Sequence, residues 1–174
     1  MDEVSFEFAK LEPDPFKDGK LPTPLGDFQI GADNLMKSPD EKIVLQLKGG
    51  EQQTVQIQIA PSVSLPAELT LGCCKLNRLD QETDDLLFVE VSADGKEWTR
   101  IVKQQKSKII PRIRDGNVTF SPVYFAMTEP DSSWIRITTN AIANPENPNS
   151  AGIMVDKISI RPVNGAADLS DVPY

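Results

Sequence analysis

Apolar and polar residues alternate one for one along most of the chain. Val4-Ser5-Phe6-Glu7-Phe8, Ile43-Val44-Leu45-Gln46-Leu47, Val55-Gln56-Ile57-Gln58-Ile59, Leu69-Thr70-Leu71-Gly72-Cys73 and Leu87-Phe88-Val89-Glu90-Val91 show the period of two expected of strands with one buried face. Asn117 to Ala126, Trp134-Ile135-Arg136-Ile137-Thr138, and Ile153-Met154-Val155 leading to Ile158-Ser159-Ile160 supply three more. Trp98 to Val102 adds a ninth. Gly49-Gly50, Asp94-Gly95 and Asp115-Gly116 fall between such runs and suit the positive φ of tight hairpins. No segment carries a helical period. Lys10 to Glu41 holds five of the 14 prolines and reads as a long excursion with about one turn of helix. Nine short strands with one apolar face each predict an all-β fold, two antiparallel sheets packed as a β-sandwich. Residues 1–163 form this single domain, and 164–174, small and acidic without periodicity, read as a C-terminal tail or linker.

Composition narrows the function more by exclusion than by indication. The chain has 174 residues, 39% hydrophobic and 25% charged, and no apolar run reaches the ~18 residues of a membrane helix. It contains no histidine, which removes Ser-His-Asp and Cys-His catalysis and His-ligated metals. No glycine-rich phosphate loop or nucleophile elbow appears either, so no catalytic residue is assigned. Eighteen basic against 26 acidic residues give a net charge of -8, a field that repels phosphate backbones, so nucleic acid is not an expected partner. The charge is uneven: Arg100, Lys103, Lys106, Lys108, Arg112 and Arg114 lie in a stretch without a single acid. Cys73 and Cys74 are adjacent, and neighbours on a strand face opposite ways, so no disulfide is expected.

Three patterns in this order, Phe6-Glu7-Phe8, then Val91-Ser92-Ala93-Asp94-Gly95-Lys96-Glu97-Trp98, then Gly152-Ile153-Met154-Val155-Asp156-Lys157-Ile158-Ser159-Ile160, give the chain from Val4 to Pro162 a resemblance to a known family. It resembles the bacterial galactose-binding-like jelly rolls, the fold of many carbohydrate-binding modules. The resemblance implies adjacent first and last strands, a structural calcium, and a non-catalytic accessory module of a secreted multidomain protein, such as a bacterial glycoside hydrolase or sialidase. It implies an extracellular or periplasmic setting, with a carbohydrate or a neighbouring catalytic domain as partner of a monomeric module. Met1 followed by Asp-Glu-Val carries no leader, which fits a mature or excised piece of an exported protein or a cytosolic chain. The alternative is a structural or protein-interaction sandwich with no small-molecule ligand.

Candidate residues follow from these patterns. Glu7 and Asp156 are acids within apolar strands that the resemblance brings together, so they are the expected calcium ligands; the plainer reading places both on solvent-facing positions. Asp80-Gln81-Glu82-Thr83-Asp84-Asp85 lacks the spacing of a calcium loop and reads as a solvated acidic loop. Lys106, Lys108, Arg112 and Arg114 share parity, and on an extended chain Arg112 and Arg114 would grip an acidic glycan through their forks, although Pro111 interrupts the run; the plainer reading is a solvated hairpin whose charges offset the acidic remainder. Tyr124 is the best surface aromatic, whereas Trp98 and Trp134 are expected to pack. Asn144 and Asn147, in a loop stiffened by Pro145 and Pro148, offer amides to sugar hydroxyls or simply make turns.

Overall fold

The computed structural model describes residues 3–49, 53–76, 86–141, 146 and 152–174. Among the described residues twelve strands run in chain order: β1 (Val4–Glu7), β2 (Leu21–Thr23), β3 (Gly26–Phe28), β4 (Leu35–Lys37), β5 (Ile43–Leu47), β6 (Gln53–Ile59), β7 (Ala67–Lys75), β8 (Leu87–Ser92), β9 (Thr99–Arg100), β10 (Ser121–Met127), β11 (Trp134–Thr139) and β12 (Ile153–Pro162). Every pairing between them is antiparallel. One sheet has the order β10-β7-β12-β5-β4, with β1 joined to β12, and the other has the order β2-β3-β6-β11-β8-β9. The two-sheet all-β sandwich expected from the alternation is therefore what the chain forms.

On the longer strands one set of alternating apolar side chains faces the partner sheet. Leu69, Leu71 and Cys73 of β7, Val123 and Phe125 of β10, and Ile158 and Ile160 of β12 meet Val55, Ile57, Val89, Ile135 and Ile137 of the second sheet in one buried cluster. Phe6 of β1, Phe8 just after it, and Phe28 of β3 stack with ring centroids 5.0 to 6.1 Å apart, which ties the first strand to the opposite sheet. Cys73 lies in this core while Cys74 points the other way, into a small outer cluster with Val44 and Met154. Both thiols are free.

β12 is one strand whose inward side chains change phase. Ile153 and Val155 face the core at odd positions, Ile158 and Ile160 at even ones, and the register against β7 slips between Val155, opposite Cys73, and Lys157, opposite Gly72. Asp156 is the extra residue of this bulge, which bends the strand and turns its side chain out of the ladder. Beside the bulge Glu7 of β1 pairs with Lys157, so the first and last strands are neighbours as expected.

Several boundaries differ from the sequence reading. Lys10 to Glu41 is no bare excursion, since it holds β2, β3 and β4 and a single 3-10 turn at Ala32–Asn34. Strands of three residues are too short to display alternation, and Pro22 and Pro24 obscure the first two. The ninth run shrinks to Thr99–Arg100, and β10 begins only at Ser121. Upstream of β10 the Asp115-Gly116 turn takes positive φ at both residues, 52° and 77°, and is closed by paired backbone bonds between Arg114 and Asn117. The Asp94-Gly95 turn is held by the Asp94 carboxylate, which accepts from the amides of Glu97 and Lys96 and from Ser92 Oγ; these bonds lower its pKa to about 2. Gly50 lies outside the described residues.

Residues 103–107 link the two sheets. The amide of Gln105 donates to Tyr124 O (3.0 Å) and that of Ala126 to Lys103 O (2.9 Å), along the outer edge of β10. Gln104 Nε2 and Ser107 Oγ both donate to Leu87 O on the second sheet, at 3.1 and 2.9 Å.

Candidate functional site

The polar half of the alternation in β7, β10 and β12 forms a groove on the outer face of the first sheet. Register places Tyr124 and Ser159 on either side of Thr70, Pro122 and Lys157 on either side of Gly72, and Arg161 opposite Glu68. The groove holds about 360 Å³ and is bounded further by Phe120, Asp156 and Ser170. Hydroxyls, an amphipathic tyrosine ring and charged hydrogen-bonding groups thus converge on a concavity of a size that suits a small ligand.

Gly72 shapes the centre of this groove. A Cβ there would be driven into the carboxylate of Asp156, so the bulge can fold its side chain back over β7 only because residue 72 has none. Half-burial raises the pKa of Asp156; amide bonds from its own and the next residue offset this in part, and the negative charge of Glu7 adds to the rise.

Glu68 closes the far end. Its side chain is 2% exposed, and its carboxylate accepts from Arg161 Nη2 (3.1 Å), the amide of Ser170 (2.9 Å), Ser170 Oγ (2.6 Å) and the hydroxyl of Tyr174. Burial pushes its pKa up, but the four donors together outweigh that effect and hold it below the usual value. Burial and the adjacent carboxylate raise the Tyr174 phenol well above its ordinary range. Arg161 also donates to Asp168 O at 2.8 Å, so residues 164–174 lie along the sheet and end at the groove.

The structure brings together two of the residues singled out from sequence, Tyr124 and Asp156. Glu7 sits with Asp156 in an adjoining cleft of about 270 Å³ that also contains Asp40, Lys42 and Lys157, and it pairs with Lys10 at 3.6 Å. The three carboxylates of Glu7, Asp40 and Asp156 reach the roughly six to eight oxygens that calcium takes only if every one binds through both oxygens. Lysines face the same cleft, and among the described residues no three His, Cys, Asp or Glu are gathered as metal ligands. The donor set therefore does not fit a calcium site.

Arg112 and Arg114 are not among the residues lining the groove. Arg112 is half-buried where the chain bridges Lys75, and Arg114 is exposed at its turn. The common face expected of Lys106, Lys108, Arg112 and Arg114 does not form, because Ser107–Ile109 is a 3-10 turn that rotates the side chains out of phase. Asn144, Asn147 and the acidic run from Asp80 to Asp85 lie outside the described residues. Both tryptophans pack: Trp134 lies against Gly95, and Trp98 stacks on Arg136 (4.3 Å), whose guanidinium grips Glu90 through two 2.9 Å bonds.

Thr70, Ser159 and the Glu68–Arg161 pair went unnoticed in the sequence. Their one signal was an acid and a base on the polar side of two strongly apolar strands.

No family model matches the chain, and no curated protein matches it. Among solved structures the chain is similar to CBM32-3 from a family 31 glycoside hydrolase from Clostridium perfringens, at 10% identity over 92% of this chain and 91% of that chain, with a TM-score of 0.40.

Proposed function

We propose that the chain is a non-catalytic carbohydrate-binding module, an accessory part of an exported bacterial multidomain protein, and that the groove over β7, β10 and β12 holds the sugar. The observation that carries this reading is the convergence of the Tyr124 ring with the hydroxyls of Thr70 and Ser159 and the charged groups of Asp156 and Lys157 around one concavity. A pyranose offers an apolar face to an aromatic ring and a rim of hydroxyls to such donors and acceptors. Catalysis gains no support from the same groove. Its most buried carboxylate, Glu68, has its lone pairs taken by four donors and is held ionised, the opposite of a general acid.

The test is a glycan array on the native chain, followed by titration of the best hit against Tyr124→Ala and Gln58→Ala. A reproducible hit is expected, weakened about tenfold by Tyr124→Ala, the equivalent of ~1.4 kcal/mol. The substitution of Gln58, which is exposed on the other sheet, should leave binding intact. Silence across neutral and acidic glycans, or equal effects of the two substitutions, would favour the interaction sandwich without a small ligand.

A further inference from the structure

The acid-free stretch forms a second cavity beside the groove. Arg100, Lys103 and Lys106 line a cleft of about 530 Å³ together with Ile101, Val102 and Tyr174. Val102 is 95% exposed, the most exposed large apolar side chain among the described residues. The cations stand on aromatic surfaces: the Arg100 guanidinium lies 4.1 Å from the centroid of the Phe88 ring, and Lys103 Nζ lies 5.4 Å from that of Tyr174. Such stacking restrains long side chains before any ligand arrives, which lowers the entropy lost on binding. Tyr174 links the two cavities, since its ring lines the cleft and faces Lys103 while its hydroxyl donates to Glu68, which lines the groove.

Resting on the carbohydrate-binding reading, we infer that this cleft takes the carboxylate of a uronic-acid residue whose neighbouring sugars occupy the groove. Three cations with no acid between residues 100 and 114 create a local positive potential on a molecule of net charge -8, so an anion is favoured here. A planar carboxylate matches the fork of Arg100, with the two lysines supplying diffuse charge. Ile101 and Val102 give the C–H face of the ring an apolar surface. The placement differs from the Arg112 and Arg114 pair suggested by sequence parity, because the turn at Ser107–Ile109 separates those arginines from the cleft.

The experiment compares a uronic-acid trisaccharide with its methyl ester, followed by amide chemical shifts of the whole chain. The acid should bind about three- to tenfold more tightly than the ester at low salt, with shifts at residues 100–106 as well as at Thr70 and Ser159. Raising the salt until the Debye length falls to about 3 Å should close that gap. Arg100→Gln with Lys103→Gln should reduce the acid to the level of the ester. Lys108→Gln with Arg114→Gln, an equal change in net charge outside the cleft, should preserve the preference and shows that the fold tolerates such a loss of charge. Equal binding of acid and ester with shifts at Thr70 and Ser159 overturns the inference and leaves the carbohydrate-binding reading standing. Loss of preference in the Lys108/Arg114 variant, or its survival in the Arg100/Lys103 variant, also overturns the inference. Binding of neither sugar overturns the inference, while a hit on the glycan array keeps the carbohydrate-binding reading standing.

Discussion

At the scale of single residues, the contact between Glu68 and Tyr174 makes the hold on the C-terminal segment depend on pH at both ends of the scale. The folded-state pKa of Glu68 is lowered from 4.5, so its contribution is present above that value and fades as pH falls through the lower folded one. Tyr174 is raised from 10.0, so its contribution is present below pH 10 and fades as pH rises toward the higher folded value. The amide of Ser170 should therefore be best protected from hydrogen exchange between about pH 5 and 10. Phenolate absorbance should show a tyrosine that titrates above the ordinary range, and Tyr174→Phe should abolish that late component at a cost of about 1 kcal/mol. Protection that is flat across the scale, or a late component that survives Tyr174→Phe, would contradict this contact. A second local prediction concerns Gly72. Gly72→Ala should displace the Asp156 carboxylate and weaken sugar binding in the groove, while Asp156→Ala in the same chain should restore thermal stability by emptying the space the new methyl needs.

Among the elements, β12 shows how much of the fold was legible and how much was hidden in plain view. Its alternation announced a strand, and the shift of apolar residues from odd to even positions between Val155 and Ile158 already implied an extra residue. Deleting Asp156 would make the pattern regular. The deletion variant should fold with a cooperative transition within about 2 kcal/mol of the native chain, whereas deleting Ser159 reverses the inward set and should abolish folding. Circular dichroism and thermal melts distinguish these outcomes. β2, β3 and β4 were illegible for a different reason. Three residues contain too little of a period to recognise, and these strands exist because neighbouring strands supply their hydrogen bonds. The groove was half legible, through Tyr124 and Asp156. Its other members became a group only when register set Thr70 between Tyr124 and Ser159, and no spacing along the chain encodes that meeting.

At the scale of the whole molecule, one continuous core joins the sheets, and the Phe6, Phe8 and Phe28 trio ties β1 to the opposite layer. Phe28 is fully buried, so Phe28→Ala should cost about 3 to 5 kcal/mol in denaturant unfolding, with tryptophan fluorescence, which reports on the second sheet, and far-ultraviolet circular dichroism, which reports on both, sharing one midpoint because the sandwich loses its layers together. Separate transitions would show that the sheets are held independently. The link at residues 103–107 has a further consequence for the molecule among other molecules. β10 is the last strand of its sheet, and an uncovered last strand offers its amides and carbonyls as a template for another chain. Here Lys103 and Gln105 bond that rim from within, and Lys103 and Lys106 set positive charge along it. The residues that attract an anion thus also make this margin a poor place for aggregation to begin.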